Sequence, residues 1–344
     1  MEKMDNTYLT YFDLINSMNN DLISIKLDDI NPYINSSKLL PFFIEPTYKI
    51  VSEDNIDKFL NGHLLPVIPR TFDINERLKR FSDGLYVAFS VNELNDYFTQ
   101  YNDVLASYLK HVTSLNMYID NVNGHYKNLY YLCDKIKNFF YSNPYNIEYR
   151  LHITVPNVFS LAVLADICSR MKYNKRGNCT VENRADFVVF NGAPNGTEET
   201  RRKSGIRSSP KIIGMVDDGS IKLAIRRLKN GASYCMVGSI FYNCIDICSE
   251  KYVKITNKYG ERYKKVSYKE AEKLFKKGLP VYNKIEPVVK DLKCVYEYEY
   301  EFPLPTKYVR IESNIAEQID MLTYWLKIAM FYNNRQTINT FVTA

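Results

Sequence analysis

No apolar run in this 344-residue chain approaches the ~20 residues that a helix needs to cross a bilayer, so no transmembrane helix is expected. The seven cysteines, an odd number, include no Cys-x-x-Cys pair. Zinc-ribbon and dithiol redox frameworks are thereby set aside, and reduced thiols in a cytosolic setting are expected. The four histidines, His63, His111, His125 and His152, are too scattered for a metal site, and none is expected. The opening residues Met1-Glu-Lys-Met-Asp5 lack the basic and apolar regions of a signal peptide. These absences point to a cytoplasmic protein without a membrane partner. No sign of charge dominates either: 45 Lys and Arg against 39 Asp and Glu leave a net +6. That balance suits a small anionic ligand and is too weak by itself to argue for nucleic acid, which is not expected as a partner.

What the chain does have is apolar content, 46% of its residues, enough for a large buried core. Its 29 tyrosines, with abundant Asn, Lys and Ile, reflect the usage of an AT-rich genome. That usage is compatible with a viral protein working in a host cytoplasm. Residues 1–40 are polar and tyrosine-rich and read as an N-terminal arm. From Leu40 onward short apolar runs alternate with helical patterns, the signature of parallel βαβ units. Strands are expected at Leu40–Ile44, Leu64–Ile68, Gly84–Ser90, Tyr149–Val155, Asp186–Phe190, Lys211–Val216 and Tyr234–Val237. Helices are expected over Val51–Leu60 with Ser52 as N-cap, over Phe159–Met171 and over Ile221–Leu228.

Tyr97, Tyr101, Leu105, Tyr108 and Val112 recur at three- and four-residue spacing, as do Tyr126, Leu129, Leu132, Ile136 and Phe139. Residues 92–143 are therefore expected to form an inserted pair of helices burying an apolar stripe. Only about ten residues separate Thr200 from Lys211, where a parallel crossover with its helix takes at least ~10–12. The helical ring is accordingly expected to be incomplete, leaving strand flanks for something else to cover. Arg201, Arg202, Lys203, Arg207, Arg226, Arg227 and Lys229 form the densest basic region, expected to be a solvated helix face with a share in phosphate neutralisation. Cys244 and Cys248 stand at helical spacing and read as structural.

The segment Asn191-Gly-Ala-Pro-Asn-Gly-Thr-Glu-Glu-Thr-Arg-Arg-Lys-Ser-Gly-Ile206 resembles the catalytic loop of the IMP dehydrogenase/GMP reductase family, G-P-G-S-x-C-T-T-R-x-x-T-G. Pro194, Thr200, Arg201 and Gly205 match it, and Ser204 replaces a threonine. Lys211–Phe241 resembles a second family stretch, I-A-D-G-G-I … A-L-A-L-G-A-D-A-V-M-L-G-S, through Asp217, Gly219, Gly231, Ala232, Met236, Gly238 and Ser239. The resemblance runs with interruptions from about Pro41 to the C-terminus. It implies an α/β fold, a (β/α)8 TIM barrel over 41–344, here with trimmed helices, the helical insertion and a β-hairpin flap. The flap is placed at Tyr252–Val266, turning at Asn257-Lys-Tyr-Gly260, within a flap and C-terminal arm over 250–344. The layout is closer to GMP reductase, because no regulatory two-repeat insertion follows the second barrel unit.

The family works by attack of a cysteine thiolate on the purine, with hydride exchange involving a nicotinamide cofactor. Here the cysteine position holds Glu198, and no cysteine lies in the loop to replace it. A carboxylate is a poor substitute for a soft nucleophile, so the redox reaction is not expected to survive. The resemblance implies Thr200 and Glu286 as proton-handling residues. Glu198 and Glu199 could serve as a general base or hold Mg2+. The nucleotide-binding set is Asn157, Gly196, Asp217, Gly219, Gly238 and Ser239, with Gly196 in the place of the family's phosphate-binding serine. Independently of any family, glycines ending the last two parallel strands let backbone N–H groups approach a phosphate. The expected protein is a diverged binder of a purine nucleotide, GMP or IMP, with NADPH as the cofactor the resemblance implies, assembled as a homo-oligomer, possibly a tetramer. Two alternatives stand beside it. One is a non-catalytic structural or interaction protein with a protein partner. The other is different nucleotide chemistry with Glu198 or Glu199 as base.

Overall fold

The structure is a computed structural model. It describes residues 40–47, 49–100, 107, 114–120, 150–157, 169–173, 179–183, 187–190, 211–216, 220–229, 232, 234–286, 288–290, 301–303 and 306–333. In chain order the strands are β1 (Phe42–Ile44), β2 (Leu65–Ile68), β3 (Tyr86–Ser90), β4 (Ser114–Asp120), β5 (Arg150–Asn157), β6 (Ser169–Tyr173), β7 (Cys179–Asn183), β8 (Phe187–Phe190), β9 (Lys211–Val216) and β10 (Tyr234–Val237). All but β6 and β7 pair side by side in parallel as a closed ring, β1-β10-β9-β8-β5-β4-β3-β2. The ring closes through Phe42↔Cys235 on one side of β1 and Phe43↔Leu65 on the other.

Alternation along each strand splits the apolar residues into two sets. Phe43, Val67, Ala88, Tyr118, Ile213 and Met236 form the inner row, with Leu65, Tyr86 and Tyr234 packed beside them. Aromatic rings fill much of that interior: Phe43 meets Tyr86 edge-on at 4.7 Å and Tyr234 at 5.2 Å. The intervening residues, among them Phe42, Ile44, Val87, Phe89, Met117, Ile119, Cys235 and Val237, face outward into the layer shared with the helices. That layer is formed by α1 (Ile56–Asn61), α2 (Ile74–Ser82), α3 (Val91–Thr99) and α4 (Ile221–Lys229), with the long C-terminal helix over Ile315–Tyr332. Connections after β4, β5 and β8 fall largely outside the described residues, so the (β/α)8 helical ring is described only in part.

Several local expectations need correction. Helix α1 starts at Ile56, capped by Asn55 and not by Ser52. The Asn55 side chain instead accepts from Ser52 N at 2.8 Å and donates to Ile50 O at 2.7 Å, tying down the loop that leaves β1. Residues 92–143 are not one helical insertion. Helix α3 ends at Thr99, and Ser114–Asp120 is a barrel strand between β3 and β5. There Leu115-Asn-Met-Tyr-Ile119 alternates with a period of two, which the tyrosine stripe before it overshadowed. Likewise, the end of the expected helix Phe159–Met171 is strand β6, which pairs with β7 in an antiparallel hairpin outside the ring. The N-terminal arm over 1–40 lies outside the described residues except for Leu40.

After β10 comes a second body. Strands β11 (Lys251–Asn257) and β12 (Gly260–Val266) form a hairpin, followed by α5 (Tyr268–Lys276) and β13 (Tyr282–Ile285). A short pair, β14 (Val288–Lys290) and β15 (Glu301–Pro303), precedes β16 (Lys307–Arg310) and the final helix α6 (Ile315–Tyr332). The antiparallel sheet runs β12-β11-β13-β16. The hairpin turns at Asn257–Gly260 as expected, with Asn257 Oδ1 accepting from Tyr259 N at 2.9 Å and Gly260 at φ +115°. Positive φ there favours glycine. Ser267-Tyr-Lys-Glu270 is the start of α5, with Ser267 Oγ accepting from Glu270 N.

Candidate functional site

Parallel strands in a ring place all their C-terminal ends on one rim, where ligands of such barrels bind. Three adjacent strands carry the motif segments to that rim. β8 leads into the Asn191–Ile206 segment, β9 into Asp217–Gly219, and β10 into Gly238-Ser239. Gly196, Glu198, Thr200, Asp217 and Gly219 themselves lie outside the described residues, as do Arg201, Arg202, Lys203 and Arg207.

Gly238 is buried, and a Cβ there would run into the Glu45 carboxylate and lie 3.0 Å from Ile50 Cδ1. Only glycine leaves room for this approach. Glu45 itself leaves β1 with its N–H bonded to Val237 O at 3.0 Å, so ring closure between β1 and β10 sets its position. Ser239 then opens a short 3-10 turn, Ser239–Phe241, anchored by Phe241 edge-on against Phe59 at 5.2 Å. A carboxylate thus stands against the glycine at which a phosphate was expected. Burial, with Glu45 adding to it, pushes the Tyr242 hydroxyl up to about 12. In the same loop Thr47 Oγ1 is buried without a hydrogen-bond partner among the described residues. Sequence reasoning did not count Glu45 among the site residues, because its partner Gly238 lies 193 positions away.

Asn157 ends β5 paired with Phe190, which is in register with Gly214. Gly214 packs on its outer side against the Arg227 stem, where an added Cβ would lie only 3.0 Å from Arg227 Cβ. Asp120 ends β4 paired with Ser90.

Glu286 is exposed beside a cavity of about 900 Å³ between the Lys49–Lys58 stretch, the Asp246–Glu250 segment and β13. Its carboxylate pairs with Lys284 at 2.6 Å, and its backbone carbonyl accepts from Lys49 Nζ at 2.7 Å. The Lys284 hydrogen bond holds the Glu286 carboxyl below the usual range, so the group is ionised at neutral pH. Across the cavity Lys58 pairs with Asp246 at 2.7 Å. The loop after β1 therefore touches both sites, Glu45 and Ile50 at Gly238, and Lys49 at Glu286. Arg227, expected on a solvated face, is 3% exposed, and Cys244–Cys248 lies in turns and not on a helix. Cys244 is buried and Cys248 exposed.

No protein-family model and no curated protein matches the sequence. Among solved structures, the chain is similar to a crystal structure of inosine 5'-monophosphate dehydrogenase from Legionella pneumophila. The two are 16% identical, the match covers 88% of this chain and 84% of that one, and the TM-score is 0.48. Similarity of that degree leaves ligand and chemistry to the residues themselves.

Proposed function

We infer that the rim over β8, β9 and β10 binds a purine nucleotide monophosphate, GMP or IMP, in a diverged GMP-reductase-like protein without thiolate chemistry. The observation that carries this reading is the adjacency of the three strands from which the Asn191–Ile206, Asp217–Gly219 and Gly238-Ser239 segments spring. Backbone N–H groups at Gly238 and Ser239 would serve the phosphate, and Asp217 the ribose hydroxyls. Asn157 belongs to this set by resemblance. Glu45 sets the terms of binding: its carboxylate must turn away from Gly238 before an anion can approach, so affinity is held low at neutral pH. NADPH is implied by the resemblance alone, and no hydride step is derived through it.

Glu45 also favours a second reading, a barrel kept as a non-catalytic interaction scaffold whose old anion site is closed by a carboxylate. Thermal unfolding with GMP, IMP and ATP, for the wild type and for Glu45→Gln, separates the two. A ligand at 100 times its dissociation constant adds about 2.7 kcal/mol. The nucleotide reading expects GMP or IMP to raise the midpoint, and more strongly in Glu45→Gln, where one negative charge is gone. No shift in either protein would overturn it and leave the scaffold.

A further inference from the structure

The whole-chain charge of +6 conceals a segregation. Residues 251–286 hold eleven Lys and Arg against four Glu, a net +7, so the rest of the chain is close to neutral. This segment builds three strands of the antiparallel sheet. One face of that sheet packs on α5 through Val253, Val266, Ala271, Leu274 and Phe275. The opposite face is a checkerboard. Across β12 and β11, Tyr263 opposes Lys254 and Lys265 opposes Tyr252. Tyr252 opposes Tyr282 on β13, Tyr282 opposes Arg310 on β16, and Lys284 opposes Tyr308. Every one of these cross-strand pairs sets a tyrosine against a cation or against another tyrosine.

The four rings form one cluster. Tyr263 and Tyr308 stack at 3.8 Å with planes 7° apart, while Tyr252 meets Tyr308 edge-on at 5.1 Å and Tyr282 meets Tyr263 at 5.2 Å. All four stay half-exposed. Carboxylates on this face occupy some of the cations: Glu261 pairs with Lys254 at 2.5 Å, Glu250 with Lys265, and Glu286 with Lys284 at 2.6 Å. Exposed pairs of this kind are worth only ~0–1 kcal/mol and give way to a phosphate. Arg310 on this face makes no ion pair among the described residues. Beyond them the hairpin tip carries Lys258 over the ring of Tyr259, which is 84% exposed.

We propose that this tyrosine–lysine face binds single-stranded nucleic acid, bases stacking on the ring cluster while Lys254, Lys265, Lys284 and Arg310 follow the phosphates. Four-stranded sheets with aromatics across the inner strands act as stacking platforms, and every base offers a π-face. An acidic protein would use the cations and leave the tyrosines idle. The proposal does not rest on the nucleotide reading of the barrel rim.

Fluorescence anisotropy on the full chain tests it, with labelled single strands of RNA and DNA about twelve nucleotides long, the matching duplex, and polyglutamate as competitor. The expected result is binding at about 50 mM salt that prefers single strands and weakens steeply as salt rises. Tyr252→Leu and Tyr282→Leu should each weaken it roughly ten-fold, whereas Tyr252→Phe and Tyr282→Phe retain it. Arg310→Gln should lower the salt slope by about 0.7. Absence of binding, equal binding of duplex, or equal competition by polyglutamate would overturn the proposal. If the Leu variants fail to fold, an unchanged salt slope in Arg310→Gln does the same.

Discussion

At the scale of single residues, Lys251 is the one buried lysine among the described residues. It is 4% exposed, and its ammonium donates to Asn283 Oδ1 at 2.6 Å, Ile247 O at 3.0 Å and Ser249 Oγ at 3.3 Å. Burial pushes its pKa down to about 8, against the pull of Asp246, Cys248 and Cys244. A lysine lowered in this way stays protonated in the unfolded chain between about 8 and 10.5, where the native state has released its proton. Stability therefore rises with pH across that window, and the cost of the buried charge is fully present below it. Lys251→Met removes both the titration and the donors. At pH 7.5 it should be less stable by about 1–2 kcal/mol, the penalty for stranding Ile247 O and leaving Asn283 Oδ1 with one donor in place of two. The gap should then widen by at most about 3 kcal/mol toward pH 10.5 as the wild type gains. Urea unfolding of both proteins across pH 7.5–10.5 measures this directly, and a constant gap would show that Lys251 does not titrate there.

At the scale of elements, the junction of β3 and α3 shows how a local signal can serve a long-range contact. Ser90 and Glu93 form a capping box: Ser90 Oγ accepts from Glu93 N at 3.1 Å, and Glu93 Oε2 from Ser90 N at 2.8 Å. The same carboxylate takes Arg77 Nη2 at 2.9 Å, and the Arg77 side chain is only 5% exposed. Burial raises the Glu93 pKa, but the hydrogen bonds from Arg77 and Ser90 outweigh it and hold the group below its ordinary value. Its contribution is thus present above pH 4.5 and lost as pH falls through the lower folded value. Glu93→Ala should cost about 2–4 kcal/mol, because it removes the cap and strands a buried guanidinium. Glu93→Gln should cost less and should flatten the acid limb of the stability profile; an acid limb as steep as the wild type's would assign that loss to other carboxylates. Elements of this kind were legible in the sequence wherever the pattern was short and bounded. β1, β2, β3, β9 and β10 are apolar runs ended by Glu, Pro, Ser, Asp or Gly. β4 was hidden because Tyr97 to Val112 extend a helical spacing almost to its first residue. The contact of Glu45 with Gly238 was not legible, since it exists only once the ring closes. The same holds for the tyrosine face, whose residues are visible in the sequence but whose pairing depends on register across four strands.

At the scale of the molecule, the antiparallel sheet joins the barrel's large apolar core through Ile285 of β13 and Val309 of β16 and otherwise has a core of its own. The sheet's is small: Ile245, Val266, Ala271, Val281 and Ile311. So few buried side chains give it limited stability of its own, and polar contacts at the junction do much of the holding. Asn283, fully buried, is the centre of that junction. Its amide donates to Cys244 O at 2.7 Å and Tyr242 O at 2.8 Å on the barrel side, while Oδ1 accepts from Lys251 at 2.6 Å and Ser249 at 2.7 Å. All four hydrogen-bonding positions of the amide are used. Asn283→Ala leaves two backbone carbonyls and a buried ammonium short of partners, a loss of about 3 kcal/mol. Because the sheet has the smaller core, that loss should fall on it first. Hydrogen exchange should quicken at the amides of β11 and β13 while β2 and β3 keep their protection. Equal acceleration in both bodies would mean that barrel and sheet unfold as one unit. Unchanged exchange everywhere would mean that the apolar core alone secures the sheet, and that the tyrosine face does not depend on the barrel for its alignment.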